Sequence, residues 1–278
     1  MPLGVIIGYD GSPAATAAID VGGRLLPQAH AWVAHLWTPP FASEALRRRL
    51  RATARSAGEL VERTEIEGER EAQRIAAHGT TLARAAGLDA EPLVKRSWGG
   101  EGLVLAQLAE QVSADVVLVG ARGLGGAQSL LGSVSDTAVH YSSRPTLVAP
   151  PALLADEWEA LAEGPVIVGS DGSAGAHTAL AAAQHVFAGR EIIVVTVGDG
   201  EADATATDGV VVEHVSGPER GSAKGTADAL AGAAAHRRAA AVVVGSRGRS
   251  GLRQVLLGNV AKETLQSAHR PVLVVPSP

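Results

Sequence analysis

The sequence predicts an α/β protein built from two tandem doubly wound units, each an open five-stranded parallel sheet with helices on both faces. Three observations predict it. The chain repeats itself once, each repeat carries short unbroken apolar runs between helical stretches, and a glycine-rich turn follows the fourth run of both repeats.

The repeat is read in matched blocks. VIIGYDGS at residues 5–12 returns as VIVGSDGS at 166–173, and VLVGARG at 117–123 returns as VVVGSRG at 242–248. LLG at 130–132 returns at 256–258, and RPTLV at 144–148 returns as RPVLV at 270–274. Matched blocks in the same order mark two copies of one structural unit. The second copy is shorter in its middle by about 35 residues. There the first has a charged, Ala-rich helical stretch over 41–86, and the second only a polar linker over 198–208. The expected division is a first domain over 1–150, a linker over 151–164 and a second domain over 165–278 that lacks the helix after its second strand. Pro150-Pro151 and Gly164-Pro165 punctuate that linker.

Strands are expected near Gly4–Tyr9, Ala31–Trp37, Ala90–Arg96, Asp115–Gly120 and Thr146–Ala149. In the second copy they are expected near Val166–Ser170, Glu191–Val197, Val210–Ser216, Ala240–Gly245 and Val272–Val275. Continuous rather than alternating apolar runs suit strands buried on both faces of a parallel sheet. Ser12, Ser133 and Ser173 stand at strand-to-helix junctions as candidate N-caps. In such a sheet, ligands bind beyond the carboxyl ends of the strands where the strand order reverses.

Composition limits the function classes. Of 278 residues, 46% are apolar and only 3% aromatic, so the core must be made of Ala, Val, Leu and Ile. The net charge of −5 provides no general attraction to nucleic acid or to an anionic membrane. There is no cysteine, hence no disulfide framework or thiolate chemistry. No signal peptide or membrane span is expected, and a cytoplasmic location follows as an expectation.

The strongest chemical signal is the glycine-rich turn. The first copy has Gly120, Gly123, Gly125, Gly126 and Gly132, then Ser133 and Ser135. The second has Gly245, Gly248, Gly251 and Gly258, then Asn259. Glycines let an anion approach backbone amides, and a following helix N-terminus adds unpaired N–H groups and a positive dipole end. The pattern is not a P-loop, because no Gly-Lys-Ser/Thr occurs. Asp10 and Asp171 end the first strand of each copy, level with that turn. Each could accept a hydrogen bond from a ribose hydroxyl or a base amino group, or could simply form an Asx-turn at the helix entry.

Strand–Asp-Gly-Ser–helix, then Gly-x2-Gly-x9-Gly-Ser/Thr, then Pro-Val-Leu-Val-Val resembles the universal stress protein family over nearly the whole chain. The resemblance implies an adenine-nucleotide-binding fold. It would place Asp10 and Asp171 on the adenosine, and Leu36 and Val197 on the adenine pocket. Val119 with Gly120, and Val244 with Gly245, would flank the ribose and base. Gly123, Gly132, Ser133, Val134 and Ser135 would hold phosphate in the first copy, and Gly248, Gly258, Asn259 and Val260 in the second. Both copies depart from the pattern. The first has eight residues between Gly123 and Gly132 instead of nine; the second has Asn259 and Ala261 where hydroxyls are usual. The resemblance also implies that the two terminal strands pack against each other.

Other candidates carry less. Arg247, Arg249 and Arg253 could neutralise phosphate or be a solvated surface. The nine histidines show no metal-ligand spacing, and His30 and His35 face opposite sides of one strand. No Gly-x-Ser-x-Gly elbow is present. Trp98 precedes a helix, and packing is its better reading. The sequence thus points to a regulatory protein that binds ATP or AMP, with or without Mg²⁺, and responds by a shift in conformation. A second copy of the chain is its expected protein partner. A nucleotide-free interaction protein and a slow ATPase are the alternatives.

Overall fold

A computed structural model describes residues 2–38, 44–121, 131–198, 210–217, 222–248 and 257–277. The first half runs β1 (Gly4–Gly8), α1 (Pro13–Leu25), β2 (His30–Trp37), α2 (Glu44–Thr53), α3 (Ala57–Ala85), β3 (Asp89–Arg96), α4 (Glu101–Gln111), β4 (Val116–Gly120), α5 (Ser133–Tyr141) and β5 (Thr146–Ala149). After α6 (Ala155–Glu163) the second half runs β6 (Val166–Ser170), α7 (Ala174–Val186), β7 (Ile192–Val197), β8 (Val210–Val215), α8 (Ala223–His236), β9 (Ala241–Gly245), α9 (Asn259–Ser267) and β10 (Val272–Val275). All ten expected strands form, each within one residue of its expected bounds.

The ten strands make one sheet in the order β3-β2-β1-β4-β5-β10-β9-β6-β7-β8. Each half is a parallel five-stranded sheet. They join where β5 and β10 pair antiparallel, with Leu147 opposite Leu273. Every residue of both strands is buried. Left as edges, two short apolar strands would expose unpaired N–H and C=O groups; paired, they become the centre of the sheet. The expected contact between the terminal strands is therefore made inside one chain. The edge that remains in the first half is β3. It carries exposed Asp89, Glu91, Lys95 and Arg96, with Pro92 in mid-strand. Charge and proline are what an edge strand tolerates.

Helices cover both faces. α1, α3, α6 and α7 pack on one side, over a core that includes Ile7, Ile19, Leu25, Leu118, Leu161 and Leu273. α4, α5, α8 and α9 cover the other, over Ile6, Leu105, Val117, Ile167, Leu230 and Val242.

The extra stretch of the first half is two helices rather than one. Ser56 interrupts it and caps α3, its Oγ accepting from the Glu59 amide at 3.1 Å. α3 meets the sheet through a stripe of small residues: Gly68, Ala72, Ala76, Gly79 and Ala83 are all buried. Gly68 lies on the Trp37 ring, and a Cβ at Gly79 would come within 2.5 Å of the Tyr9 ring. The second half has Ser170 and Gly198 at the positions of Tyr9 and Trp37. Among the described residues of the second half neither the large rings nor a helix resting on them is found.

α6 bridges the halves. Glu157 and Arg270 form a buried ion pair at 3.6 Å, and Arg270 Nε donates to the Ala239 carbonyl at 2.7 Å. Arg190 donates to Leu161 O at 2.7 Å, Gly164 O at 3.1 Å and Leu25 O at 3.2 Å. These carbonyls end α6 and α1, where the negative ends of the helix dipoles favour a cation. Burial pushes the Arg190 guanidinium below its ordinary pKa, so those carbonyls take the place of lost water. Replacing Arg190 by Met should cost roughly 2–4 kcal/mol of stability, read as a lower urea midpoint, because three carbonyls lose a charged donor. An unchanged midpoint would contradict this.

Candidate functional site

From β1 the chain crosses outward to β2 on one side, and β4 lies on the other. This is the reversal of strand order that opens a crevice at the carboxyl ends of a doubly wound sheet. In the first half a cleft of about 120 Å³ lies there. Its floor is the strand ends: Gly8 and Tyr9 from β1, Ala34 to Leu36 from β2, and Val119 with Gly120 from β4.

Three helix N-termini form the walls. Ser12, Ala14 and Ala15 come from the start of α1, Glu101 and Leu105 from α4, and Val134 and Ser135 from α5. Glycines set these approaches. A Cβ on Gly120 would run into the carbonyl oxygen of Ala14, so β4 can end against α1 only with glycine there. A Cβ on Gly102 would lie 2.5 Å from Thr137, so glycine also brings α4 against α5. The N-caps of α4 and α5 are Gly100 and Gly132, and neither makes a side-chain capping bond. Uncapped amides at converging positive dipole ends suit an anion.

The polar groups are placed by local turns. Asp10 Oδ1 accepts from the Ser12 amide at 2.9 Å, and Gly11 takes φ +81°. Ser12 Oγ accepts from the Ala15 amide at 3.2 Å and caps α1. The Asx-turn is therefore formed, and the carboxylate keeps further acceptor sites at the cleft. Ser135 Oγ donates to Gly120 O at 2.8 Å, tying α5 to the end of β4. Its hydrogen is spent there, and its oxygen can still accept. Ser133 is not the N-cap; it is the first residue of α5 and is exposed, because Gly132 takes the cap position.

The structure thus gathers Asp10, Leu36, Val119, Gly120, Val134 and Ser135 around one cleft, with Gly132 and Ser133 at the head of α5. Gly123 lies outside the described residues, as do Arg249 and Arg253. Sequence reasoning missed Glu101, Tyr9, Ala34 and Leu105, and it set His35 aside. His35 is buried, with Nδ1 2.8 Å from the Tyr9 carbonyl oxygen, and it holds the end of β1 against β2. Glu101 had one available signal: it opens the helix after Gly99-Gly100 at the end of β3.

The second half repeats part of this arrangement, with Gly245 against the Gly175 carbonyl as Gly120 is against that of Ala14. Asp171 repeats the turn, accepting from the Ser173 amide at 3.0 Å, but a Cβ at Gly248 would come within 2.7 Å of its Oδ2. The carboxylate is drawn over the start of the glycine-rich turn. Gly258 N donates to Ser246 O at 2.7 Å, so the head of α9 folds onto the end of β9 beside Val244 and Gly245. Ser277 N donates to Ser246 Oγ at 3.0 Å, and Ser277 Oγ would meet a Cβ on Gly175 at 3.1 Å. The C-terminal residues thus occupy space next to the strand ends. Val197, at the end of β7, and Asn259 and Val260, at the head of α9, are half-buried or exposed at this edge.

A parallel sheet covered by helices on both faces, with a glycine-lined crevice at its reversal point, defines the doubly wound α/β class of fold. The universal stress protein pattern matches residues 4–150 and 213–276, and the chain belongs to that family. It is 29% identical to a universal stress protein of Mycolicibacterium smegmatis over 98% of this chain and 96% of that one. It is 30% identical to one of Mycobacterium tuberculosis over 74% of this chain and 77% of that one. Its fold is similar to that of a universal stress protein from Archaeoglobus fulgidus, with TM-score 0.69, 19% identity and coverage of 99% and 98%. Among the described residues no helix is long and apolar enough to cross a membrane, and no group of three or more His, Asp or Glu side chains is gathered for a metal.

Glycine is a steric requirement at position 120 and not at 232, where a Cβ meets nothing within 4 Å. Gly120→Ala should therefore destabilise by roughly 1–3 kcal/mol, and Gly232→Ala, within α8, should stabilise by about 0.5–1 kcal/mol. Thermal melts of the two variants check the opposite signs.

Proposed function

We propose that this universal stress protein binds an adenine nucleotide, ATP or AMP, in the cleft of its first half. We further propose that it acts as a stress-response regulator by nucleotide-dependent change of conformation. The observation that carries the reading is the convergence of three helix N-termini on one crevice that also holds the carboxylates of Asp10 and Glu101. Phosphate is matched to the uncapped amides at the head of α5, with Gly132, Ser133, Val134 and Ser135. The base is matched to the apolar wall of Ala34 and Leu36, and ribose hydroxyls to Asp10 as acceptor. Any Mg²⁺ would be held chiefly by the phosphates, with Asp10 the nearest side-chain oxygen donor of the turn. A bound nucleotide would favour the arrangement in which α1, α4 and α5 are drawn together, which is a population shift.

In the second half Asn259 and Ala261 stand where hydroxyls are usual, which favours the interaction-protein alternative for that half alone. Pairing between terminal strands is already made within the chain, and a homodimer would form through some other surface. The reading places action in the cytoplasm, away from nucleic acid and membrane.

Calorimetric titration of the whole chain with ATP and with AMP should give one equivalent. Asp10→Asn should weaken binding by about 10- to 100-fold, the worth of a hydrogen bond to a charged acceptor, and Asp171→Asn should leave it unchanged. Two equivalents would show that the second half also binds. No binding by the parent protein would leave the scaffold reading in its place.

A further inference from the structure

α2 and the residues just after it depart from the charge balance of the rest of the chain. Arg47, Arg48, Arg49, Arg51 and Arg55 fall within nine residues, and Glu44 is the one acidic residue over 44–55, in a chain whose net charge is −5. The helix packs against α3 and buries Leu50. Arg48, Arg49, Arg51 and Arg55 are all exposed. Among the described residues no ion pair reaches their side chains. The neighbouring α3 treats its charges otherwise. Arg63 pairs with Glu59 at 3.5 Å, Arg70 with Glu67 at 2.7 Å, and Glu65 with Arg96 at 2.9 Å. A solvated helix face mixes signs in this way. Arg48 and Arg51, by contrast, stand three residues apart on one helix, a like-charge spacing that works against it. A face of one sign suits an oppositely charged partner.

The opposite charge is in the chain itself. Between β7 and β8, where the first half has α2 and α3, the second half has a stretch of sequence that lies outside the described residues. It holds Asp199, Glu201, Asp203 and Asp208 and no basic residue. The sheet keeps the two apart within one chain. α2 follows β2 and the acidic stretch joins β7 to β8, and β2 and β7 are seven strand spacings apart, about 34 Å.

We propose that α2 is a docking surface for the acidic 199–208 stretch of a second copy of this chain. Each copy carries both charges, so a two-fold arrangement makes the contact twice and closes as a dimer. It supplies the surface that a dimer needs once β5 and β10 are paired with each other inside the chain. Four carboxylates face four exposed guanidinium groups, and such pairs can be bidentate. A nucleic acid or an anionic membrane would meet the same arginines, but also the excess negative charge of the rest of the chain. The contact is independent of the nucleotide reading.

Sedimentation velocity of the whole protein tests it, with Arg48→Glu/Arg51→Glu, Glu201→Arg/Asp203→Arg and a chain carrying all four changes. The parent should be a dimer in low salt that dissociates by about 1 M NaCl, as salt screens the contact. Each double variant should weaken association by about 100-fold or more, and the fourfold variant should return to within about tenfold of the parent. A parent that stays monomeric in low salt would overturn the proposal, whether or not its arginines bind duplex DNA or anionic vesicles. So would a dimer that the reversals leave intact. A loss in Arg48→Glu/Arg51→Glu that the fourfold variant does not repair would overturn it too, since the acidic stretch would then not be the occupant.

Discussion

β5 and β10 run antiparallel at the middle of the sheet, and what lies on either side is placed by that pairing. Both strands are only four residues long and wholly buried, so neither could serve as a lasting edge in water. Their union turns two open five-stranded sheets into one of ten and brings α1 and α7 to the same face. It also leaves α6 to close the junction. Arg190 and the Glu157–Arg270 pair are consequences of that closure. Three helix-end carbonyls and a buried carboxylate needed cationic partners once the halves met.

Because the two halves share a topology, the same crevice is available twice, and the difference between them is local. In the first half, α3 rests on Tyr9 and Trp37, and β1 and β2 are stitched by His35 at the cleft floor. Among the described residues the second half has no such helix, and Ser170, Gly198 and Thr196 stand at the positions of Tyr9, Trp37 and His35. Thr196 is buried and its hydroxyl has no hydrogen-bond partner among the described residues. Ser277 and Gly258 meanwhile draw in on Ser246. Among the described residues the cleft of the first half is lined by three helix N-termini, and in the second half Ser246 binds both Ser277 and Gly258.

The fold was legible because buried parallel strands leave unbroken apolar runs, and because a repeated chain states each run twice. β3 and β8 were found despite weaker runs, since their places in the repeat were fixed by their neighbours. The site was legible where a residue stands in a motif. Asp10 follows the first strand, and Gly120 ends the fourth at a point where no Cβ fits. Glu101, Tyr9 and His35 were not, because each is a lone polar residue whose role comes from a long-range approach: α4 against α5 through Gly102, and β1 against β2. Ser133 was misplaced by one position because Gly132 can take the cap conformation without a side chain. Trp98 read as packing, since no sequence signal distinguishes a buried indole from one stacked on Arg96 and left facing water.

The central claim is that one nucleotide binds, and that it binds at the first reversal point. Hydrogen exchange with and without AMP tests it most directly. The account predicts slower exchange at residues 9–15, 119–121 and 132–135, and no change at 170–176, 244–248 and 258–261. Protection in the second set as strong as in the first, or in neither, would contradict it.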